Sequence, residues 1–545
     1  MENKRWVVYP KVEGDLKEQL LSNRKIGTKI DQKNFLHPHL TKLISTEKLF
    51  TQIERVVERI KKAISEKELI YIYGDYDVDG ITASAILWET LDLLGAKVLP
   101  YIPSRHTEGY GLNNEALESL AKEGAKVVIS VDCGITAVEQ AKFARGLGVD
   151  LIITDHHQPQ EILPKSFATL HTTTLSGAGV AFKLATALLE EFGNGEGEQF
   201  FKNLELATLG TVADMMPLIG ENRVIVKNGL STLGNSNRIG LKALYNEATI
   251  GKDIGTYEIG FMISPRLNAM GRMESAYDSL RLLLTRDASR AEKLAQKLGQ
   301  TNKLRQDSTQ EALIHAKNEV EKKYLGGKLF VISSEKYEEG VVGLVAGRIT
   351  ESYHRPTAVI SENSVVSKGS ARSISGFNIT NAIGKSSPLL ISHGGHPMAA
   401  GFSINKENIS KFRVDLVKVA EEELTEENLT PEIKIDLEIS FNEINEDLNV
   451  LLKEFEPFGI GNPEPIFLTK SLEVIAVRLV GKENNHLKLT LKDKEGVVLE
   501  AVGFSLAEKK PSEGDLVDIV YNIRENFWNS RKRIEGRIKD LKKMS

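Results

Sequence analysis

Apolar and polar positions along this chain follow two periods, and the switches between them divide it into elements. Ile53, Val56, Val57, Ile60 and Ala63, at three- and four-residue steps, predict an amphipathic helix. The apolar run at 69–73 then predicts a strand, followed by a helix from Thr82 to about Gly95, a strand at 97–102 and a helix at 114–123. Two further strand-like runs, 127–131 and 149–154, flank a helical stretch at 136–146. This βαβ rhythm predicts a mainly parallel sheet. From Ala291 to Val320 the apolar residues keep helical spacing, which predicts one long helix over 287–324 joining two lobes. Beyond it, strands at 328–333 and 357–361 and helices at 341–350 and 379–385 predict a second α/β lobe over 326–425, with Gly394-Gly395-His396 in a Gly-rich segment. The acidic run 421–427, followed by Pro431, reads as a linker. Alternating stretches at 472–479, 487–491, 497–502 and 516–521 predict a small β-barrel within 431–545.

Composition changes this picture only at its edges. At 545 residues the chain exceeds the ~250–300 residues over which one core grows, so it is divided into an amino-terminal segment (1–49), a first lobe (50–286), the connecting helix (287–325), the second lobe and the barrel. The 41% hydrophobic and 27% charged residues describe a folded protein, and no apolar run reaches the ~20 residues that span a bilayer. The start of the chain lacks the apolar core of a signal peptide, and Cys133 is the single cysteine, so a disulfide framework is excluded and a cytoplasmic location is expected. A net charge of −5 excludes a uniformly basic coat but not a local basic groove. Leu36-His37-Pro38-His39 has no metal-ligand context and reads as structural.

The candidate chemistry lies at the carboxyl ends of the predicted strands, where open α/β sheets bind ligands. Asp75, Asp77 and Asp79 follow the first strand, Asp132 follows 127–131, Asp155-His156-His157 ends 149–154, and Asp214 closes Gly210-Thr211-Val212-Ala213. A lone aspartate in such a place is commonly a helix cap, and Asp79 and Asp155 suit that role best. Several caps need not all fall at successive strand ends, so the set points to metal. A calcium loop is excluded by the apolar residues near Leu87 and Trp88, where its last glutamate would stand. Carboxylates with imidazole and no thiolate pair suit Mn²⁺ or Mg²⁺. Two such ions about 3.5–4 Å apart activate water and neutralise a phosphoryl oxygen.

Asp75-Tyr76-Asp77-Val78-Asp79-Gly80, Ser130-Val131-Asp132-Cys133-Gly134, Asp155-His156-His157 and Gly210-Thr211-Val212-Ala213-Asp214 resemble, in order, the four motifs of the DHH phosphoesterases. Ile102-Pro103-Ser104-Arg105 with Glu108-Gly109-Tyr110-Gly111, Pro265-Arg266-Leu267-Asn268 through Arg272, and Gly394-Gly395-His396-Pro397 narrow the resemblance to the RecJ family, from about residue 50 to the end. It implies two α/β lobes, DHH and DHHA1-like, and a carboxy-terminal OB-fold barrel approached through 457–465. It also implies a 5′→3′ exonuclease that releases nucleoside monophosphates from single-stranded DNA in repair and recombination, by attack of an activated water on the phosphodiester. Asp77, Asp79, Asp132, His156 and Asp214 would be metal ligands, with Asp132 bridging two ions, and Asp75 and His157 ligands or supporting groups. Asp132, His156 and His157 would carry the catalysis. Two departures stand out: a shortened segment at 165–176, whose His171 is not promoted to a ligand, and Glu338 where relatives often carry histidine.

For the substrate, a 5′-phosphorylated single strand, Ser370 and Arg372 offer hydroxyl and guanidinium to phosphate, with Arg105, Arg266, Arg272 and His396 as further candidates. Each alone is as readily a surface or tie residue. Arg524, Arg531, Lys532, Arg533 and Arg537, interleaved with Tyr521, Phe527 and Trp528, suit single-strand binding only as a cluster. A helicase and a single-strand-binding protein are the candidate protein partners, and the chain is read as a monomer. The rival readings are a phosphodiesterase acting on oligoribonucleotides or cyclic dinucleotides, and a non-catalytic DNA-binding scaffold. The barrel argues against the first, and the intact set of acids against the second.

Overall fold

The computed structural model describes residues 4–105, 107–195, 197–363, 365–528 and 531–544, with the backbone alone for 526–528 and 531–532. The apolar run Leu69–Gly74 is the hub of a five-stranded, all-parallel sheet. Lys97–Tyr101 pairs on one side of it, and Ala125–Val131, Asp150–Asp155 and Ala168–His171 follow on the other. In chain order the strands therefore lie 2-1-3-4-5. The connections after the first and third strands leave in opposite directions, which opens a crevice between the carboxyl ends of Leu69–Gly74 and Ala125–Val131. The last strand, only four residues long, falls in the shortened segment read above without structure; its Thr- and Ser-rich surroundings concealed an inward pair, Ala168 and Leu170.

The helix after the first strand runs Val78–Leu93, four residues earlier than the apolar pattern suggested. Asp77 is its cap, accepting from the Gly80 amide at 3.1 Å, so the capping role expected of Asp79 belongs to Asp77. This helix packs against Gly177–Glu191 and Glu198–Ala213, and together they bury the apolar core on one face of the sheet.

Contacts divide the chain into two bodies, one of residues 1–7 and 300–433 and one of 8–299 and 434–545. The long helix Ala288–Glu319 runs from one to the other. In the smaller body a five-stranded sheet lies in the order Leu390–His396, Ala399–Asn405, Val366–Arg372, Thr357–Ser361 and Phe330–Ser334. The Gly-rich segment Gly394, Gly395 and His396 is thus strand, paired across a hairpin with Gly401, Ala400 and Ala399. The acidic run at 421–427 is helical at both ends, closing Ile409–Glu423 and opening Glu426–Leu429. No helix among the described residues is long and apolar enough to cross a membrane.

In the larger body the strands Phe467–Val480, His486–Lys492, Val498–Gly503, Arg531–Lys543 and Leu516–Trp528 close into a barrel when the last pairs back onto the first. Its core is shared with Leu20, Leu21, Phe35 and Leu36, so the amino-terminal segment is part of the barrel's packing. Arg223, on the helix Gly220–Leu233, is 1% exposed and binds this assembly to the body that carries the parallel sheet. Its guanidinium donates to the carbonyls of Phe35 at 2.5 Å, Glu454 at 3.1 Å, Phe455 and Glu456 at 3.0 Å and Pro457 at 3.3 Å. Several of these oxygens close the helix Glu446–Phe455, where the helix dipole is negative. Burial, with Arg24 nearby, pushes the Arg223 pKa down to about 10, which leaves it charged at neutral pH. Replacing Arg223 with Met strands these carbonyls in the interior, and an unfolding titration should show a loss of about 3 kcal/mol. A loss under about 1 kcal/mol would show that water reaches the carbonyls instead.

Candidate metal centre

Five elements deliver the acids and imidazoles to the crevice. Asp75 follows the first strand and is buried, its carboxylate accepting from the Tyr76 amide at 2.7 Å. Asp79, in the first turn of Val78–Leu93, accepts from the amides of Gly177 at 2.6 Å and Ala178 at 2.9 Å, the positive start of the helix Gly177–Glu191. Asp132 leaves the third strand in a left-handed conformation, φ 61°, which turns its carboxylate into the crevice. Asp214 sits at the carboxyl end of Glu198–Ala213, where the helix dipole disfavours a negative charge.

His156 stands among three of these acids. Its Nε2 lies 3.1 Å from Asp132 Oδ1, 3.6 Å from Asp214 Oδ2 and 3.7 Å from Asp79 Oδ2. His157 is oriented from behind by Asp155, whose Oδ1 is 2.8 Å from His157 Nδ1. Asp155 also accepts from the amides of Ile135, His156 and His157, so it is consumed in holding the turn, the structural role expected of it. Its carboxyl is held below the usual value: burial opposes this, but the His157 hydrogen bond and charge prevail. His157 moves the other way, to about 9, because the bond and charge of Asp155 outweigh its burial.

The remaining acids show the strain of like charge out of water. Burial first, and neighbouring carboxylates second, push Asp79 up to about 7 and Asp214 up to about 8, and raise Asp75 and Asp132 well above the usual range. Oδ1 of Asp132 is buried and receives no hydrogen bond. An oxygen so placed, in a wall of carboxylates, fits a cation. Three groups have ligand atoms within 4.8 Å of one another: Asp75, Asp77 and Asp132; Asp79, His156 and Asp214; and Asp132, His156 and His157. Asp132 and His156 each belong to two of them, so the groups are contiguous. Oxygen-rich donor sets with one or two imidazoles suit hard divalent ions such as Mn²⁺ and Mg²⁺.

Several contributors were given no role by the sequence. Gly177 and Gly210 stand where an added Cβ would fall 2.5 Å from Asp132 Oδ1 and 2.5 Å from Asp79 Oδ1 respectively, so both helices approach the acids only because these residues have no side chain. Asn268 accepts from the Val78 amide at 3.0 Å and fixes the start of the Asp77–Asp79 turn. The Tyr110 hydroxyl lies 3.3 Å from the His157 ring nitrogens, and His171 Nε2 lies 2.7 Å from the His157 carbonyl. Tyr110, Gly210 and Asn268 fell within recognised motifs, though their contacts did not show there, whereas Gly177 carried no signal.

The substrate candidates separate. Arg105 lies over the Tyr76 ring at 5.3 Å, and Arg272 acts electrostatically on the same tyrosine, so both border the crevice. Arg266 is bound by Glu247 at 2.5 Å and by the Met262 carbonyl at 2.8 Å, which ties helices together. In the other body Arg372 Nη1 donates to Ser370 Oγ at 3.0 Å, both beside Gly343 at the start of the helix Val342–Tyr353. His396 lies in register with Arg372 through Ala399. Of the barrel cations, Arg524 is paired with Glu464, Arg537 lies 5.0 Å over Phe504, and Tyr521 is buried. The side chains of Phe527, Trp528, Arg531 and Lys532 lie outside the described residues.

Three family models match the chain: the DHH family, N-terminal domain, over residues 69–211, the DHHA1 domain over 326–423 and the RecJ OB domain over 435–540. The single-stranded-DNA-specific exonuclease RecJ of Bacillus subtilis is 39% identical over 504 residues, which cover 90% of this chain and 63% of that protein. The chain thus spans less than two thirds of this relative's length. The protein of the same description from Haemophilus influenzae is 32% identical over 488 residues, 83% of this chain and 84% of that one. The crystal structure of RecJ from Thermus thermophilus in complex with Mn²⁺ superposes with a TM-score of 0.86 at 28% identity, covering 99% of this chain and 80% of the other.

The tight approach of Gly177 gives a direct check on the centre's geometry. Gly177→Ala forces Asp132 or the helix start to move, and thermal unfolding should register a cost of about 1–3 kcal/mol. Unchanged stability would mean that the helix start stands farther from Asp132.

Proposed function

The chain belongs to the RecJ family of DHH phosphoesterases, and from that membership we propose that it is a metal-dependent 5′→3′ exonuclease, hydrolysing single-stranded DNA to nucleoside monophosphates in repair and recombination. The observation that carries this reading is the convergence of Asp75, Asp77, Asp79, Asp132, His156 and Asp214 on one crevice, in contiguous groups with ion-binding spacing. Asp75, Asp77 and Asp132 would hold one divalent ion and Asp79, His156 and Asp214 a second, with Asp132 placed to serve both. Mn²⁺ or Mg²⁺ suits the donors, and RecJ structures from Thermus thermophilus are described with each. When bound, such ions acidify a water and neutralise the phosphoryl oxygens.

The chain's own groups then have separate tasks. Asp155 fixes the ring of His157, which faces the Tyr110 hydroxyl at the mouth of the crevice. Arg105 and Arg272, both near Tyr76, are placed to meet backbone phosphates entering the site, whereas Arg266 is committed to Glu247 and is not assigned to the substrate. In the other body Ser370, Arg372 and the start of Val342–Tyr353 form an anion-binding group, with His396 in the same row of the sheet. In the barrel Arg537 over Phe504 offers a cation and a half-exposed ring. This reading takes a 5′-phosphorylated strand as substrate, a helicase and a single-strand-binding protein as associated proteins, and a monomer as the working unit.

Two experiments test it. Asp132→Asn should lower Mn²⁺-dependent degradation of 5′-phosphorylated single strands by at least about 10²–10³-fold. The same variant, relieved of one repelled carboxylate, should be more stable than wild type without metal and should lose the rise in melting temperature that Mn²⁺ produces. Retained activity would refute the assignment. For the barrel, replacing Phe504 and Arg537 together with Ala should weaken retention of a long single strand about tenfold and leave hydrolysis of a short oligonucleotide unchanged. Equal losses on both substrates would remove the barrel from strand binding.

A further inference from the structure

The segment Thr256–Glu258, the π-helical turn Ile259–Ile263 and the helix Ser264–Met273 form one continuous rod. Its far end is built into the metal centre: Asn268 accepts from the Val78 amide, and an added Cβ on Gly271 would fall 2.5 Å from the Tyr76 carbonyl. Its near end does something unusual for a soluble surface. Tyr257 and Phe261 are 59% and 70% exposed, yet their rings stack on each other, with centroids 5.0 Å apart and planes 28° from parallel. The π turn contains Phe261, and such turns are frequent at functional sites because they re-aim side chains.

What surrounds this pair limits what it can bind. Tyr257 lines a cavity of about 580 Å³ between the catalytic core and the barrel, and the adjacent Thr256 hydroxyl donates to the Phe458 carbonyl at 2.9 Å. The cavity's cations are already engaged: Arg524 with Glu464, Lys453 with Glu525, and Lys227 with the Glu456 carbonyl. Two of these cations are already neutralised by carboxylates and the third is turned to a carbonyl, whereas the face of a ring is available to another flat ring. Tyr257 and Phe261 lie eleven and seven residues before Asn268, about 10–17 Å along a helix from the metal loop, a distance spanned by a few nucleotides of single strand.

We propose that Tyr257 and Phe261 are a base-stacking step on which the single strand rests before it reaches the metal centre. The inference depends on the nuclease reading and adds a specificity element to it. Stacked rings accept any base, since every base has a π face, and duplex DNA, whose bases are already stacked, offers none at its sides. The step therefore selects single strands of sufficient length, irrespective of sequence.

The test uses the full chain without divalent ions, so that binding is read without turnover, and 3′-labelled oligothymidylates of two and of ten residues carrying a 5′ phosphate. The double variant Tyr257→Ala with Phe261→Ala should bind the ten-mer about tenfold or more weakly than wild type and the dinucleotide equally well. Phe261→Tyr should keep wild-type affinity and Phe261→Leu should not, because leucine retains the apolar bulk but not the π face. Equal affinity of wild type and the double variant, an equal loss on both lengths, or full affinity in Phe261→Leu overturns the inference. A wild-type protein that neither binds nor degrades the ten-mer refutes the nuclease reading itself, and the stacking step with it. Both side chains are exposed, so an unchanged melting temperature confirms that the variants are folded.

Discussion

The carboxylates of Asp75, Asp79, Asp132 and Asp214 share one crevice, largely out of water, and their mutual repulsion sets the terms for what is built around them. Two unit charges about 4 Å apart repel by about 4 kcal/mol at an effective dielectric of 20. Part of that is opposed by oriented dipoles: the start of Gly177–Glu191 serves Asp79, and the Tyr76 amide serves Asp75. Asp132 has no hydrogen bond on its inner oxygen, and Asp214 lies at the adverse end of its helix. The protein dipoles are thus spent on Asp75 and Asp79, and Asp132 and Asp214 are left without them. A site arranged in this way stores destabilisation that divalent ions release, which is how buried acids become a preorganised metal site.

Much of this centre was legible in the sequence because each acid follows its own apolar run, and buried parallel strands are continuous in hydrophobicity. The five-stranded sheet, the second lobe and the barrel follow from the same periodicities. Where the reading slipped, the deciding contacts were between elements. Asp77 and Asp79 are both sensible caps by position; only the approach of Gly177 and Ala178, about a hundred residues later, assigns Asp79 to another helix. Gly177 and Gly210 look like ordinary helical glycines until the acids they accommodate are in place. The strand Ala168–His171 is too short and too polar to announce itself, yet it completes the sheet and supports the His157 backbone through His171.

Attachment of the barrel was equally hidden. Alternating strands identify a barrel without saying what it rests on. Arg223 reaches carbonyls 188 and 231–234 residues away, and a buried guanidinium hydrogen-bonded to backbone oxygens over the Phe35 ring has no sequence signature. With the amino-terminal leucines also in its core, the barrel is no detachable module. Removing residues 431–545 would uncover a buried charge and an apolar surface together, and any loss of activity that followed would report unfolding.

This attachment reaches the chemistry through the loop after Asp214. The Leu218 amide donates to the Ile460 carbonyl at 2.7 Å, and the glycines at 459 and 461 let that segment close on Leu218 and Pro217. The other acids are fixed by the sheet and by helix starts; Asp214 is fixed at one side by the end of its helix and, four residues on, by the segment leading into the barrel. Carboxylates that repel one another will separate unless each is held from behind. The barrel segment supplies that hold for the acid with the least support from the sheet, so the barrel belongs to the scaffold of the metal centre.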